Sequence, residues 1–218
     1  MDAQSSPSSV PADCAAARPG AFAESKKALR TAIRTARRAL PDEVRAQRSA
    51  AISEAVRRYL ADLAPVVRTV AAYCSAPDEP DTEPLLAALA ADGIQVYVPV
   101  CEPEYQLSWV RWVPGVELVR SPRAPVMEPV GPRRGLELFD EVATLFIPAL
   151  AIDADGLRLG QGGGYYDRFL PRLEQFPVQV AALVYDEELV ASGTFSVAPH
   201  DMPVDLVITP GGTRHFLD

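Results

Sequence analysis

Reactive side chains are densest between Asp153 and Arg168, where Gly156 is followed by Arg158, Leu159, Gly160, Gln161, Gly162, Gly163, Gly164, Tyr165, Tyr166 and Asp167. Four of the chain's 13 glycines fall within five residues there. Glycine reaches positive φ at little steric cost, so such a loop can turn several N–H groups toward one point, and a helix starting just after it adds unpaired donors. That arrangement cradles phosphate. Arg158 and Arg168 supply guanidinium groups for an anion, and Asp167 offers a hard oxygen to magnesium accompanying a nucleotide. Two common glycine signatures fail: no Lys-Ser or Lys-Thr follows, and Tyr165 stands where the third glycine of G-x-G-x-x-G belongs. A ligand-free glycine turn is the alternative, although a solvent turn has no use for these arginines, tyrosines and acid.

Two further groups carry charge in a pattern. Lys26, Arg30, Arg34 and Arg38 recur every four residues, as either the solvated face of a helix or an edge turned to phosphate. Lys26 and Lys27 are the only lysines, so a lysine-dependent step must use them. Asp78 and Glu79 follow an apolar run at Val66–Cys74, the carboxyl end of an expected strand, where open α/β sheets bind ligands; ordinary turn and cap chemistry is the competing reading.

The elements that must position these groups follow from periodicity. Helices are expected from Glu24 to Leu40, ended by Pro41, from Asp42 to Leu63, and from an N-cap at Thr82 to Asp92 with Gly93 beyond. Buried strands are expected near Val66, Ile94, Val142, Val178 and Val204, alternating with helical stretches, which makes βαβ units and a mostly parallel sheet. Gln106 to Val113 alternates as a partly exposed strand with Trp109 and Trp112 on opposite faces, one of them available to stack on a heterocycle. Pro114 to Pro132, with five prolines, reads as an irregular ordered loop.

Composition bounds the rest. At 218 residues and 48% apolar content one domain suffices, assigned to residues 23–218 after a disordered extension at 1–22 rich in Ser, Pro and Ala. Net charge is −8, yet ten of the 21 basic residues fall between Lys26 and Arg58. Three cysteines without C-x-x-C or Cys/His pairing support neither a disulfide framework nor a zinc site, which fits a reducing cytosol. With no signal pattern and no run of eighteen apolar residues, a cytoplasmic protein without a membrane partner is expected.

Three motifs in order resemble one family. They are Lys26, Leu29 and Arg30; the long run from Ile147 and Pro148 through Asp153, Gly156, Arg158 and the glycines to Asp167 and Arg168; and His200, Asp201, Val204 and Asp205. Together, over about Lys26 to Thr209, they resemble the 5-formyltetrahydrofolate cyclo-ligases, also called 5,10-methenyltetrahydrofolate synthetases. Ala149 and Ile152 stand where that family often has a glycine and an aromatic, and Thr209 with Pro210 replaces a more acidic ending.

The resemblance implies a three-layer α/β fold related to the CoA-transferase and ribose-phosphate isomerase group. It implies ATP as co-substrate, Mg2+ as cofactor and 5-formyltetrahydrofolate as substrate, in a monomer with no nucleic-acid partner. Carried over, Lys26, Lys27, Arg30 and the run Arg158 to Tyr166 would bind ATP, with Lys26, Arg158 and Tyr166 catalytic. Arg30, Cys74, Glu79, Trp109, Gln161, Gly162 to Gly164 and Tyr165 would bind the folate, Glu79 accepting the pterin's N–H groups. Asp167 and Asp205 would hold magnesium. The competing classes are a dinucleotide oxidoreductase, suggested by a strand, glycine loop, helix and strand ending at Asp186, and a non-catalytic folate, nucleotide or RNA binder. The first lacks its fingerprint, and the second has no need of Lys26, Asp167 and Asp205 together.

Overall fold

The computed structural model describes residues 19–63, 66–198 and 201–216, with side chains from Lys26 onward, so most of the expected N-terminal extension and His200 lie outside the described residues. Helix α1 spans Pro19–Ala39. It therefore begins inside the segment expected to be disordered, with Pro19 in the first turn, where a missing N–H costs nothing. Helices α2 (Asp42–Ala61) and α3 (Glu83–Ala91) fall where periodicity put them, and Gly93 ends α3 at φ +81°. Thr82 precedes α3 but does not cap it: its hydroxyl donates to the Tyr73 carbonyl at 2.6 Å and accepts from Ser75 N, while Asp81 accepts from Glu83 N. The residue expected to start a helix instead ties off the acidic loop.

The strands are β1 (Thr69–Ala71), β2 (Gln95–Cys101), β3 (Leu107–Trp112), β4 (Leu118–Arg120), β5 (Met127–Pro129), β6 (Arg133–Arg134), β7 (Thr144–Pro148), β8 (Ala151–Asp153), β9 (Arg158–Leu159), β10 (Gln179–Leu183), β11 (Leu189–Val190), β12 (Leu206–Thr209) and β13 (Gly212–His215). One eight-stranded sheet runs β13-β12-β10-β7-β1-β2-β3-β6. Its five central strands, β12, β10, β7, β1 and β2, are the five expected from apolar runs, and all pair in parallel. Antiparallel strands close both sides.

Alternation along the strands makes three layers. Val70, Val96, Val98, Phe146, Ala181, Leu183, Leu206 and Ile208 face a core completed by α2 and α3 through Ile52, Val56, Leu85 and Leu89. Ala71, Tyr97, Leu145, Ile147, Ala182, Val184 and Val207 face the opposite core, completed by Leu138, Phe139, Phe169 and Leu173. Pro114 to Pro132 is not irregular: it contains the β4–β5 hairpin, with Leu118 opposite Pro129. Its prolines obscured the alternation, but the pairing survives because this two-stranded ribbon is separate from the main sheet and has little ladder to interrupt.

Sequence order along the sheet fixes where a ligand can enter. From β1 the chain steps one way to β2 and later returns to place β7, then β10 and β12, on the other side. Between β1 and β7 the direction of winding reverses, and the loops leaving their carboxyl ends diverge to leave a crevice. The loop after β1 is the acidic one; the segment after β7 leads to the glycine loop.

Candidate active site

That crevice is a cavity of about 930 Å³, in the range of small-molecule sites. Tyr73 to Glu79 form one wall, Pro148, Arg158, Gly160 to Gly164 and Tyr165 to Asp167 form another, and Arg34 and Arg38 of α1 reach into it. Before the glycines come strand β8, a turn at Gly156 and strand β9, an antiparallel hairpin that sets the loop's starting angle. Gly162 and Gly164 then take φ of +95° and +76°, the left-handed turns that bend the loop back on itself before α4 (Tyr165–Phe169).

The basic stripe of α1 faces inward along much of its length. Lys26 Nζ lies 3.2 Å from Asp201 Oδ2, Arg30 Nε donates to the Gly160 carbonyl at 2.9 Å, and Arg34 donates to the carbonyl and side chain of Gln161. Arg38 pairs with Asp78. Lys27, about 100° further round the helix, is exposed and is not among the residues that line the cavity, so its place does not support the expected role in ATP binding.

One cation in this helix escaped the four-residue pattern. Arg37 is buried, with Nε 2.6 Å from Glu188 Oε1 and Nη2 2.7 Å from Oε2, and it also donates to the carbonyls of Ala149 and Asp78. Burial works against its charge, and the hydrogen bond and charge of Glu188 more than offset this, leaving the guanidinium pKa raised. For Glu188, burial pushes the carboxyl pKa up while Arg37 pulls it back. The pair ties α1 to both walls of the cavity.

On the glycine side, Arg158 pairs with Asp167 and donates to the Pro148 carbonyl, with its side chain 6% exposed against 41% for Asp167. Burial lowers the Arg158 pKa, opposed first by Asp167. A guanidinium does not give up its proton under these conditions, so this desolvated cation is poised for a second anion. Both Asp167 and Asp201 act on Arg30 and Arg158, and Lys26 pairs with Asp201, so three cations and two acids gather around Arg158 and Asp167, the two of them that line the cavity.

On the acidic-loop side, Glu79 accepts from Ala76 N at 2.8 Å and from Gln161 Nε2 at 2.7 Å, and burial raises its pKa above the usual carboxylate range. Cys74 beside it is pushed up to about 11, first by burial, which leaves a neutral thiol and a packing surface rather than a nucleophile. The hydroxyls of Tyr73 and Tyr166 are buried without partners, and burial raises both pKa values. Tyr165 stands at the mouth, edge-on to Tyr105 at 5.6 Å.

Besides Lys27, three expected site residues are not brought here. Trp109 is fully buried between Phe139 and Phe169, with centroids 5.2 and 5.4 Å away, and offers no face to a ligand. Tyr105, half exposed, lining the cavity and held at positive φ, is the aromatic at the mouth that sequence reasoning missed. Asp205 lies at the amino ends of β10 and β12, where it accepts from Val180 N at 2.7 Å, so it cannot share an ion with Asp167 at the carboxyl ends. Asp201, four residues earlier, reaches the cation cluster instead. Leu159 is core, packed with Leu150, Ala151 and Phe195, and it serves the loop only through its backbone.

A family model described as the 5-formyltetrahydrofolate cyclo-ligase family matches residues 22–210. The chain belongs to that family. A 5-formyltetrahydrofolate cyclo-ligase of Mycolicibacterium smegmatis is 35% identical over 191 residues, covering 85% of this chain and 94% of the relative. One from Escherichia coli K12 is 34% identical over 182 residues, covering 82% and 96%. Among solved structures, the Aquifex aeolicus 5,10-methenyltetrahydrofolate synthetase superposes with a TM-score of 0.68 at 29% identity, covering 88% of this chain and 93% of that one. The cyclo-ligase match takes in α1 from residue 22 on, the cavity walls and the run to β12, so the site lies wholly inside the shared region.

Proposed function

We propose that this chain catalyses the ATP-dependent closure of 5-formyltetrahydrofolate to 5,10-methenyltetrahydrofolate, with ADP and phosphate released. The observation that carries this reading is the polarity of the site: Lys26, Arg30 and Arg158 gather with the glycine loop and Asp167 at one end, and the buried acceptor Glu79 with an aromatic mouth stands at the other. The first side suits a triphosphate. The second suits a pterin, whose amino and ring N–H groups would donate to Glu79.

An amide oxygen is a poor leaving group, so the γ-phosphoryl group passes to the formyl oxygen. Folate N10 then attacks the formyl carbon of the resulting iminium-like phosphate ester, the carbon–oxygen bond to phosphate breaks, and the N10 proton leaves with the phosphate. Phosphoryl transfer asks mainly for positioning and charge neutralisation. Lys26, Arg30 and Arg158 would neutralise the phosphates, the loop's N–H groups would hold them in line, and the neutral Tyr166 hydroxyl, unpartnered without ligand, would donate to an oxygen that gains charge. Cys74, Tyr105 and Tyr165 would exclude water around the heterocycle.

The residues present fit magnesium. Asp167 and Asp201 offer two hard oxygen ligands beside the cations that would hold the phosphates, and a donor set of two carboxylates suits an ion that keeps waters and phosphate oxygens as its remaining ligands. Among the described residues no group of three or more acids, histidines or cysteines converges as an all-protein metal site. When bound, the ion would supply positive charge to offset that of the nucleotide phosphates. The reading takes the chain as a cytoplasmic monomer; no helix of the described residues is long and apolar enough to cross a membrane.

The test is the absorbance of methenyltetrahydrofolate formed from 5-formyltetrahydrofolate by purified protein, with and without Mg-ATP, and by Asp167→Ala. Product that requires ATP and disappears in the variant supports the reading. A folded wild type that forms no product with Mg-ATP overturns it.

A further inference from the structure

Outside the hydrogen bonds that shape each wall, one side chain crosses the cavity. Gln161, at the tip of the glycine loop, donates from Nε2 to Glu79 Oε1 at 2.7 Å. Its own oxygens are both taken by one guanidinium: Arg34 Nη2 donates to Gln161 Oε1 at 2.8 Å and to its carbonyl at 2.9 Å, with Nε 3.3 Å from Oε1. The other Glu79 oxygen accepts from Ala76 N. A continuous chain thus runs from the cationic face of α1, through Gln161, to the acid on the folate side, and all three residues line the cavity.

From this chain we infer that Gln161 couples the two halves of the site: without nucleotide its amide covers Glu79, and phosphates that draw Arg34 away release it. The inference rests on the proposed function. A phosphate is a charged acceptor and competes for a guanidinium better than a neutral amide oxygen does. Once Arg34 turns to phosphate, the Gln161 amide is left with Glu79 as its one partner, and its neighbour Gly162, at φ +95°, is free of the side chain that would stiffen the loop tip. A pterin N–H can then take the place of Nε2 on Glu79. The exchange replaces one donor by another, so the buried carboxylate never loses a partner, which its burial would make costly.

Gln161 acts here as a positioning residue, and linkage is the readout that separates this from a purely structural role. Calorimetry would measure the affinity of wild type for monoglutamyl 5-formyltetrahydrofolate with and without saturating Mg-AMP-PNP, and again for Gln161→Met, which keeps the volume and removes both polar atoms. For wild type, the nucleotide should tighten folate binding about tenfold, the scale of one hydrogen bond to a charged group, and folate should tighten AMP-PNP equally. In Q161M, folate binding without nucleotide should already approach the tighter value, and the nucleotide effect should fall toward one. Gln161→Ala, which also lacks the amide, should behave alike, and thermal melts establish that both variants are folded. A nucleotide effect of the same size in the variants, or none in wild type, overturns the coupling role. A wild type that binds neither ligand sinks the proposed function instead.

Discussion

Arg37→Met is the substitution whose cost the structure specifies most fully. It deletes four hydrogen bonds, two to Glu188 and one each to the Ala149 and Asp78 carbonyls, and strands a carboxylate whose side chain is 5% exposed. Breaking a buried ion pair from one side costs about 3–5 kcal/mol, mostly because the remaining charge has no partner. For a chain of this length that is a fall in Tm of about 10 °C. The sign of its pH dependence follows from Glu188. Without Arg37, burial outweighs the remaining hydrogen bond from Tyr185 N and holds the folded carboxyl pKa above its unfolded value, so the folded state binds more protons through that window and the variant loses stability as pH rises. The deficit relative to wild type should therefore be largest above the folded pKa of Glu188 and shrink as pH falls toward the ordinary glutamate range. Arg37→Met with Glu188→Gln removes the stranded charge but keeps an acceptor for Tyr185 N, which Glu188 holds at 2.8 Å, and should recover about half the loss. Urea unfolding of the three proteins at pH 8 and pH 5.5 provides the comparison. A single variant within 1 kcal/mol of wild type, a deficit equal at both pH values, or a double variant no better than the single one would refute the reasoning.

Four other outcomes are expected. Asp167→Asn should lower kcat by about two orders of magnitude, since Asp167 acts on developing charge, and should also lower the melting temperature, because it removes the ionic partner of the buried Arg158 guanidinium. Because burial raises the Glu79 pKa, the wild-type KM for 5-formyltetrahydrofolate should climb as pH falls through that raised value; Glu79→Gln should show a high KM with no such slope. Asp201→Asn should weaken activation by magnesium in a titration of the metal, whereas Asp205→Asn, which keeps an acceptor for Val180 N, should not. Gly164→Ala, at φ +76°, should cost about 1–2 kcal/mol in thermal unfolding, while Gly163→Ala, whose added Cβ would meet nothing closer than 3.6 Å, should be close to neutral.

The parallel core was legible because its strands lie in apolar runs rich in Val, Ile, Leu and Ala. Their order across the sheet was not, since nothing in a strand's own sequence states its neighbours. The glycine loop was legible for the same local reason: residue types at fixed spacing. What failed depended on distant partners or on parity. Arg37 differs from its neighbours in the stripe only by its offset, and its partner Glu188 is 151 residues away. Trp109 and Trp112 were correctly set on opposite faces of β3, but both faces turned out to be covered. The sole hint of that was the absence of polar residues at Trp109 and Val110. Asp201 and Asp205 share one motif four residues apart, and only the direction of β12 reveals which of them is carried to the foot of the sheet.

The same topology explains why so much of the site depends on a helix that precedes the sheet. At the β1–β7 boundary the two walls of the cavity come from segments that leave in opposite directions, and neither contains what would hold it to the other. Helix α1 crosses both. Arg38 and Arg37 hold the acidic loop through Asp78, Arg37 also holds the segment after β7 through Ala149, and Arg30 and Arg34 hold the glycine loop. A basic stripe that looks like a solvated face is, in this fold, the member that closes an open crevice into a binding site. Its charge leaves the cavity cationic where phosphates would lie. Positioning and electrostatics therefore come from the same side chains, which is why a loss at Arg37 should be felt first as stability and a loss at Arg30 or Arg34 first as nucleotide affinity.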